Sequence, residues 1–127
     1  GSSLINISSL AARRGTPNNS AYVASKFGVA GLTQSLAKEL GPKRIRVNAV
    51  CPVLVKTEGL VEALKDKTSP AAGEPDKFLS NFASIQTALG ALPTASQVAD
   101  MCFFLSSDQA SAITGQSINV DCGVLPN

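Results

Sequence analysis

Ser9, Tyr22 and Lys26 are residue types whose spacing lets them act together. Tyr22 and Lys26 are four positions apart, so on a helix they lie one turn above the other on the same face. A phenol ordinarily ionises near pH ~10 and is a poor base at neutral pH. An ammonium beside it favours the phenolate, because an opposite charge at short range stabilises the charged form. Tyr22 is then a general acid/base that moves a proton on or off a substrate oxygen. Ser9, thirteen residues before Tyr22, supplies a hydroxyl that donates to that same oxygen and holds it. Tyr-x-x-x-Lys alone more often means two half-exposed helix residues, so its surroundings decide.

Those surroundings are the elements that must position the three groups. The apolar run 4–7 is short and β-branched, as in a buried strand. Gly15, Pro17, Asn18 and Asn19 form a turn, and Asn18 or Asn19 is a cap for the helix that follows. That helix is expected from about 20 to 40, with Gly41-Pro42 as its stop. Ala24, Gly28, Gly31 and Ser35 form a stripe of small residues along it, beside an apolar stripe of Val29, Leu32, Leu36 and Leu40. From the residues alone, the small stripe fits the helix packing on its own sheet. A second strand is expected over 45–51. Its near-continuous apolar end suits a parallel strand covered on both faces, and the span from the first strand allows a right-handed helical crossover. Ligands of such sheets bind just past the carboxyl ends of the strands, which is where 52–57 falls.

Residues 58–92 predict two short helices around a break. Leu60, Val61 and Leu64 form one apolar face, and Phe78, Leu79, Phe82, Ile85 and Leu89 form another. The stretch 68–75 between them has the composition of a mobile linker. A lid over the site and a surface excursion with its own small core both fit this region. Pro93-Thr94-Ala95-Ser96 caps a further helix whose core face is Val98, Met101, Cys102 and Leu105, and 116–120 predicts a third strand. The chain thus divides into a catalytic segment 1–57, a lid-like segment 58–92, and a C-terminal helix and strand 93–127. The fold class is α/β: the second half of a doubly wound, Rossmann-type parallel sheet, three parallel strands with helical crossovers.

Composition narrows the function. The 127 residues carry a net charge of +2 with no basic run, which gives no support to nucleic acid as a partner. The apolar runs fall short of the ~18 residues that suggest a membrane span. There is no His, which removes His-based triads and most zinc chemistry, and no metal site is expected. Cys51, Cys102 and Cys122 are three in number and widely spaced, unlike a disulfide framework, so a reducing cytoplasm is the expected setting.

Asn6-Ile7-Ser8-Ser9, then Tyr22 and Lys26, closely resembles the active-site segment of the short-chain dehydrogenase/reductase family. So do Arg46-Val47-Asn48-Ala49-Val50-Cys51-Pro52 and Ile113-Thr114-Gly115-Gln116-Ser117-Ile118-Asn119-Val120-Asp121, in the family's order. The resemblance covers the family's second half; no Gly-rich phosphate turn occurs in these residues. It implies an NAD- or NADP-dependent oxidoreductase interconverting a secondary alcohol and a ketone, with Ser9, Tyr22 and Lys26 catalytic and Ser9 holding the small-molecule substrate. It further implies that Lys26 also holds the nicotinamide ribose beside Tyr22, and that Pro52, Val55 and Thr57 form the nicotinamide loop. A homo-oligomer, tetramer or dimer, follows from the same resemblance. The open alternative is a non-catalytic fragment, an oligomerisation or binding module without the phosphate site. Val53 stands where the family has Gly, and a β-branched residue is strained at positive φ, so a differently shaped loop is expected there. Cys122 likewise replaces a family Gly.

Overall fold

Three parallel strands form the sheet, β1 (Ser2–Ile7), β2 (Ile45–Pro52) and β3 (Ser117–Val120), side by side in chain order. The computed structural model describes residues 1–127. Helix α1 (Ser20–Leu40) connects β1 to β2, and α2 (Glu58–Leu64), α3 (Pro75–Gln86) and α4 (Ala95–Ser106) lie between β2 and β3. Residues alternate faces along a strand. Ser3 and Ile5 meet α4, where the Ser3 hydroxyl donates to the Leu105 carbonyl. Asn6 instead meets α1, its amide donating to the Thr33 hydroxyl at 3.1 Å. The two helices therefore cover opposite faces, as in a doubly wound α/β sheet. Central β2 is buried from Val47 to Cys51, which is why its sequence is nearly continuously apolar.

The exception in that run is Asn48, fully buried and fully bonded. Its amide donates to the Ile113 carbonyl, and its side-chain oxygen accepts the Gln116 N–H. Arg46 donates to the Ile113 and Ser107 carbonyls, and the Val47 N–H donates to the Thr114 hydroxyl. The two motif segments around Arg46 and Thr114 thus bind each other. Polar side chains of β2 fix the turn that launches β3.

The main core gathers Val50, Leu105 and Ala110 with Ile5, Val98, Met101, Cys102 and Ile118. This is the face expected of α4, whose Thr94 cap and Gln97 form a reciprocal capping box. A second, smaller core joins Leu64, Ala71 and Leu79, with Leu60, Val61 and Phe78 packed against it.

Several expectations need correction. Strand β1 begins at Ser2, two residues early, because its pairing with β2 runs back to Ile45; β2 extends through Pro52, and β3 starts at Ser117. Asn19 sits at the N-cap of α1, but its amide turns back to the Thr16 hydroxyl and leaves the helix end uncapped by a side chain. Gly41 remains right-handed in a following 3-10 turn, and Arg44 takes the left-handed position at φ 60°. On α1 the buried residues are Thr33 and Ala37, whereas Leu32 faces outward. The stretch 68–75 is folded rather than loose: Ala71 is buried, and Asp66 and Ser69 side chains bind its backbone. Ile85 and Leu89 stay three-quarters exposed outside the small core.

Candidate active site

Ser9 follows the last residues of β1 in extended backbone and caps the short 3-10 turn Leu10–Ala12. Its hydroxyl oxygen accepts the Ala11 N–H at 3.1 Å. That bond fixes the oxygen and leaves the hydroxyl proton to be donated elsewhere. The Ser8 N–H donates to the Val50 carbonyl at 2.8 Å, so the serine pair is tied to the carboxyl end of β2. Beneath it lies the buried Cys51. Burial pushes the Cys51 thiol up from its ordinary range, against the opposing pull of the Arg13 charge and the Ser8 hydroxyl.

Tyr22 occupies the first turn of α1 and is 46% exposed. The Lys26 Nζ stands 5.6 Å from the centre of its ring. The expected same-face pairing is present. Ser9 and Tyr22 open on a single cleft of about 520 Å³ at the carboxyl ends of the strands, with Pro52, Val55 and Thr57 on its wall. Five of the six expected site residues therefore share one cleft. Lys26 is absent from its lining; its Nζ lies over the Tyr22 ring instead.

In the 52–57 loop, the Val55 carbonyl accepts the Thr57 N–H at 2.8 Å, while the Val55 N–H bonds to nothing in the chain. Thr57 caps α2, its hydroxyl oxygen accepting the Leu60 N–H at 3.2 Å. An unpartnered N–H and a hydroxyl proton facing a cleft suit a planar carboxamide, the donor-acceptor group at the end of a nicotinamide. Val53 is not at positive φ, so the loop accommodates it without the strain expected of a β-branched residue there.

The remaining wall is apolar. Leu60 of α2 and Phe78 and Phe82 of α3 reach the cleft. Their helical spacing is equally that of core residues, and Phe78 belongs to the small core as well. Region 58–92 is thus both a unit with its own core and a wall of the cleft. Arg14 also lines the cleft, although its neighbour Arg13 points away, to the Ser117 carbonyl and Asn127.

Residues 1–125 match the family model described as Enoyl-(Acyl carrier protein) reductase. A short-chain dehydrogenase/reductase of Armillaria gallica is 42% identical over 125 residues, which is 98% of this chain and 46% of that protein. The chain belongs to the short-chain dehydrogenase/reductase family. Solved family members superpose closely. Carveol dehydrogenase from Mycobacterium avium, in complex with NAD, matches at a TM-score of 0.84 and 33% identity over 98% of this chain and 46% of its own. A variant actinorhodin polyketide ketoreductase with NADPH matches at 0.85 and 30% identity over 96% of this chain and 46% of its own. The chain thus spans about half the length of the short-chain dehydrogenases and reductases it matches.

Proposed function

We propose that the protein is an NAD- or NADP-dependent oxidoreductase that interconverts a secondary alcohol and a ketone. The observation that supports this reading is that Ser9 and Tyr22 line one cleft, with the Lys26 ammonium over the Tyr22 ring. The hydride is the chemistry that a bound nicotinamide dinucleotide supplies or accepts. Ser9 donates its hydroxyl proton to the substrate oxygen and orients the carbonyl. In reduction Tyr22 gives its phenolic proton to that oxygen, and in oxidation it takes the proton back. Lys26 stabilises the negative charge that the phenol oxygen acquires as the proton leaves, and its length lets it also reach the nicotinamide ribose. Pro52, Val55 and Thr57 hold the nicotinamide end, the carboxamide against the Val55 N–H.

Ala24, Gly28, Gly31 and Ser35 of α1 all face outward rather than packing on the sheet. That exposure supports a homo-oligomer in which these stripes meet, a dimer or a tetramer. Three free cysteines, one fully buried, suit a reducing compartment such as the cytoplasm. No helix is long and apolar enough to cross a membrane.

The family model's description favours a second reading, reduction of an enoyl thioester. There the same two hydroxyl groups polarise the thioester carbonyl, and hydride adds to the conjugated carbon instead of the carbonyl carbon. One experiment covers both readings. The full-length protein is incubated with NADH or NADPH and a panel of ketones and enoyl thioesters, and nicotinamide absorbance is followed. Ketone-dependent loss of reduced cofactor is the expected result. Turnover of enoyl thioesters alone transfers the assignment to the second reading, and no turnover with any pairing rejects both.

A further inference from the structure

We infer that Arg14 makes this cleft selective for alcohols and ketones that carry an anionic group, a carboxylate or a phosphate, on an apolar body. The inference rests on the oxidoreductase reading for the reacting oxygen and adds the class of substrate. Its starting point is the contrast between two adjacent arginines. Arg13 is engaged away from the cleft, donating to the Ser117 carbonyl and to Asn127. Arg14 follows at the end of the same turn, with its backbone N–H bonded to the Leu10 carbonyl. Its side chain is half-buried, lines the cleft, and has no ion-pair partner in the chain, whose two salt bridges are Lys56–Asp76 and Lys65–Glu62.

No Asp, Glu or Lys lines the cleft, so Arg14 is the one charge on its wall. Around it stand Leu10, Leu54, Leu60, Phe78 and Phe82. A guanidinium against such a wall is partly stripped of water, and a charge held that way is stabilised by a counter-charge with hydrogen-bonding oxygens. Carboxylate and phosphate present those oxygens in the geometry of the guanidinium fork. The substrate is thereby oriented at two points, its reacting oxygen on Ser9 and Tyr22 and its anion on Arg14. The apolar part rests on the two phenylalanines of α3. A neutral ketone meets only one of those points and leaves the guanidinium unpaired.

The test uses matched pairs with the full-length protein: benzoylformate and benzoylpropionate, each against its methyl ester, and phenacyl phosphate against 2-hydroxyacetophenone. The expected result is a kcat/KM for an anionic member roughly 10–100-fold above its neutral partner, the range of a charge-assisted pair. Arg14→Gln brings that ratio towards one, and Arg14→Lys keeps part of it. The carboxylate and phosphate arms distinguish the two sources of the anion. A wild-type ratio near or below one overturns the inference. So does a ratio that survives Arg14→Gln, or a loss that appears instead in the KM of the nucleotide. If no ketone turns over, the oxidoreductase reading fails while this one is still decided. Calorimetric binding of the same pairs to wild type and to Arg14→Gln then reads the anion preference directly: a preference in wild type that Arg14→Gln abolishes supports the inference, and one that is absent or survives in Arg14→Gln overturns it.

Discussion

The Asn6 amide on β1 and the Thr33 hydroxyl on α1 are joined at 3.1 Å, and Thr33 in turn donates to the Val29 carbonyl at 2.7 Å. Thr33 is fully buried. This bond sets the height of α1 on β1, and with it the position of Tyr22 relative to Ser9, three residues beyond Asn6. Thr33→Val keeps the shape but leaves the Asn6 amide without its acceptor. The expected loss of stability is about 1–3 kcal/mol, measured by urea unfolding, with a fall in kcat that exceeds any change in nucleotide affinity.

Tyr22→Phe removes the proton carrier without changing the ring that meets Lys26. Turnover should drop roughly a hundred- to ten-thousand-fold, while nucleotide binding followed by fluorescence titration stays close to wild type. Near-normal turnover in this variant would falsify the role given to Tyr22.

Ser9→Ala deletes both the hydroxyl offered to the substrate and the acceptor for the Ala11 N–H. A fall in kcat of roughly a hundred- to a thousand-fold is expected, together with about 1 kcal/mol of stability from the lost cap. Ser9→Thr keeps a hydroxyl that can fill both roles, so it should recover much of the kcat and of the lost stability.

Cys122 and Gly123 are consecutive residues at positive φ, 52° and 83°. Cys122→Gly relieves a side chain from the left-handed region and should raise stability by about 0.5–1 kcal/mol, after allowance for the greater freedom of the unfolded glycine. Gly123→Ala acts in the opposite direction. Its Cβ would fall 2.6 Å from the Ala88 Cβ, so a loss above about 1 kcal/mol is expected in the same unfolding assay.

The Cys51 thiol is raised by burial, so the folded state holds its proton at a pH where the unfolded chain, ionising near ~8.5, has begun to release it. Its contribution is fully present below the unfolded value and disappears as pH rises through the folded one. Urea midpoints should therefore decline on the alkaline side, and Cys51→Ala should flatten that decline even as it lowers the midpoint at neutral pH. An equal alkaline slope in the two proteins would refute this account.

The parts of the molecule legible from sequence are those governed by a repeat. The period of a helix gave the shared face of Tyr22 and Lys26, and the apolar run of β2 gave a doubly covered central strand, while the bounds of α1 came from the turn residues before it and Gly41-Pro42 after it. What escaped lies where no repeat applies. Arg13 and Arg14 are identical in type and adjacent, and only the exit angle of the 3-10 turn sends one to Asn127 and the other into the cleft. Ala71 lies in a stretch with the composition of a loose linker, yet it is buried because Leu64 and Leu79 close over it from separate helices. Glycine signalled the end of α1, but Arg44 took the left-handed turn because the chain ran on through Pro42 before reversing.

The Cys122 carbonyl accepts the N–H groups of both Ala88 and Leu89, just beyond α3. At its other end the same excursion leaves the carboxyl end of β2 directly, through the short 53–57 loop that ends at the Thr57 cap of α2. The α2–α3 region is therefore an arch with both footings on the sheet, one beside β2 and one beside β3. A door swings from one hinge, but an arch pinned at both feet flexes at its crown. Its crown is 65–74, the connection between α2 and α3 furthest from either footing, where Ala71 is buried and the Asp66 and Ser69 side chains bind the backbone. Cleft width would then follow the rise and fall of that crown, with the feet keeping Phe78 and Phe82 above the same part of the cleft floor throughout.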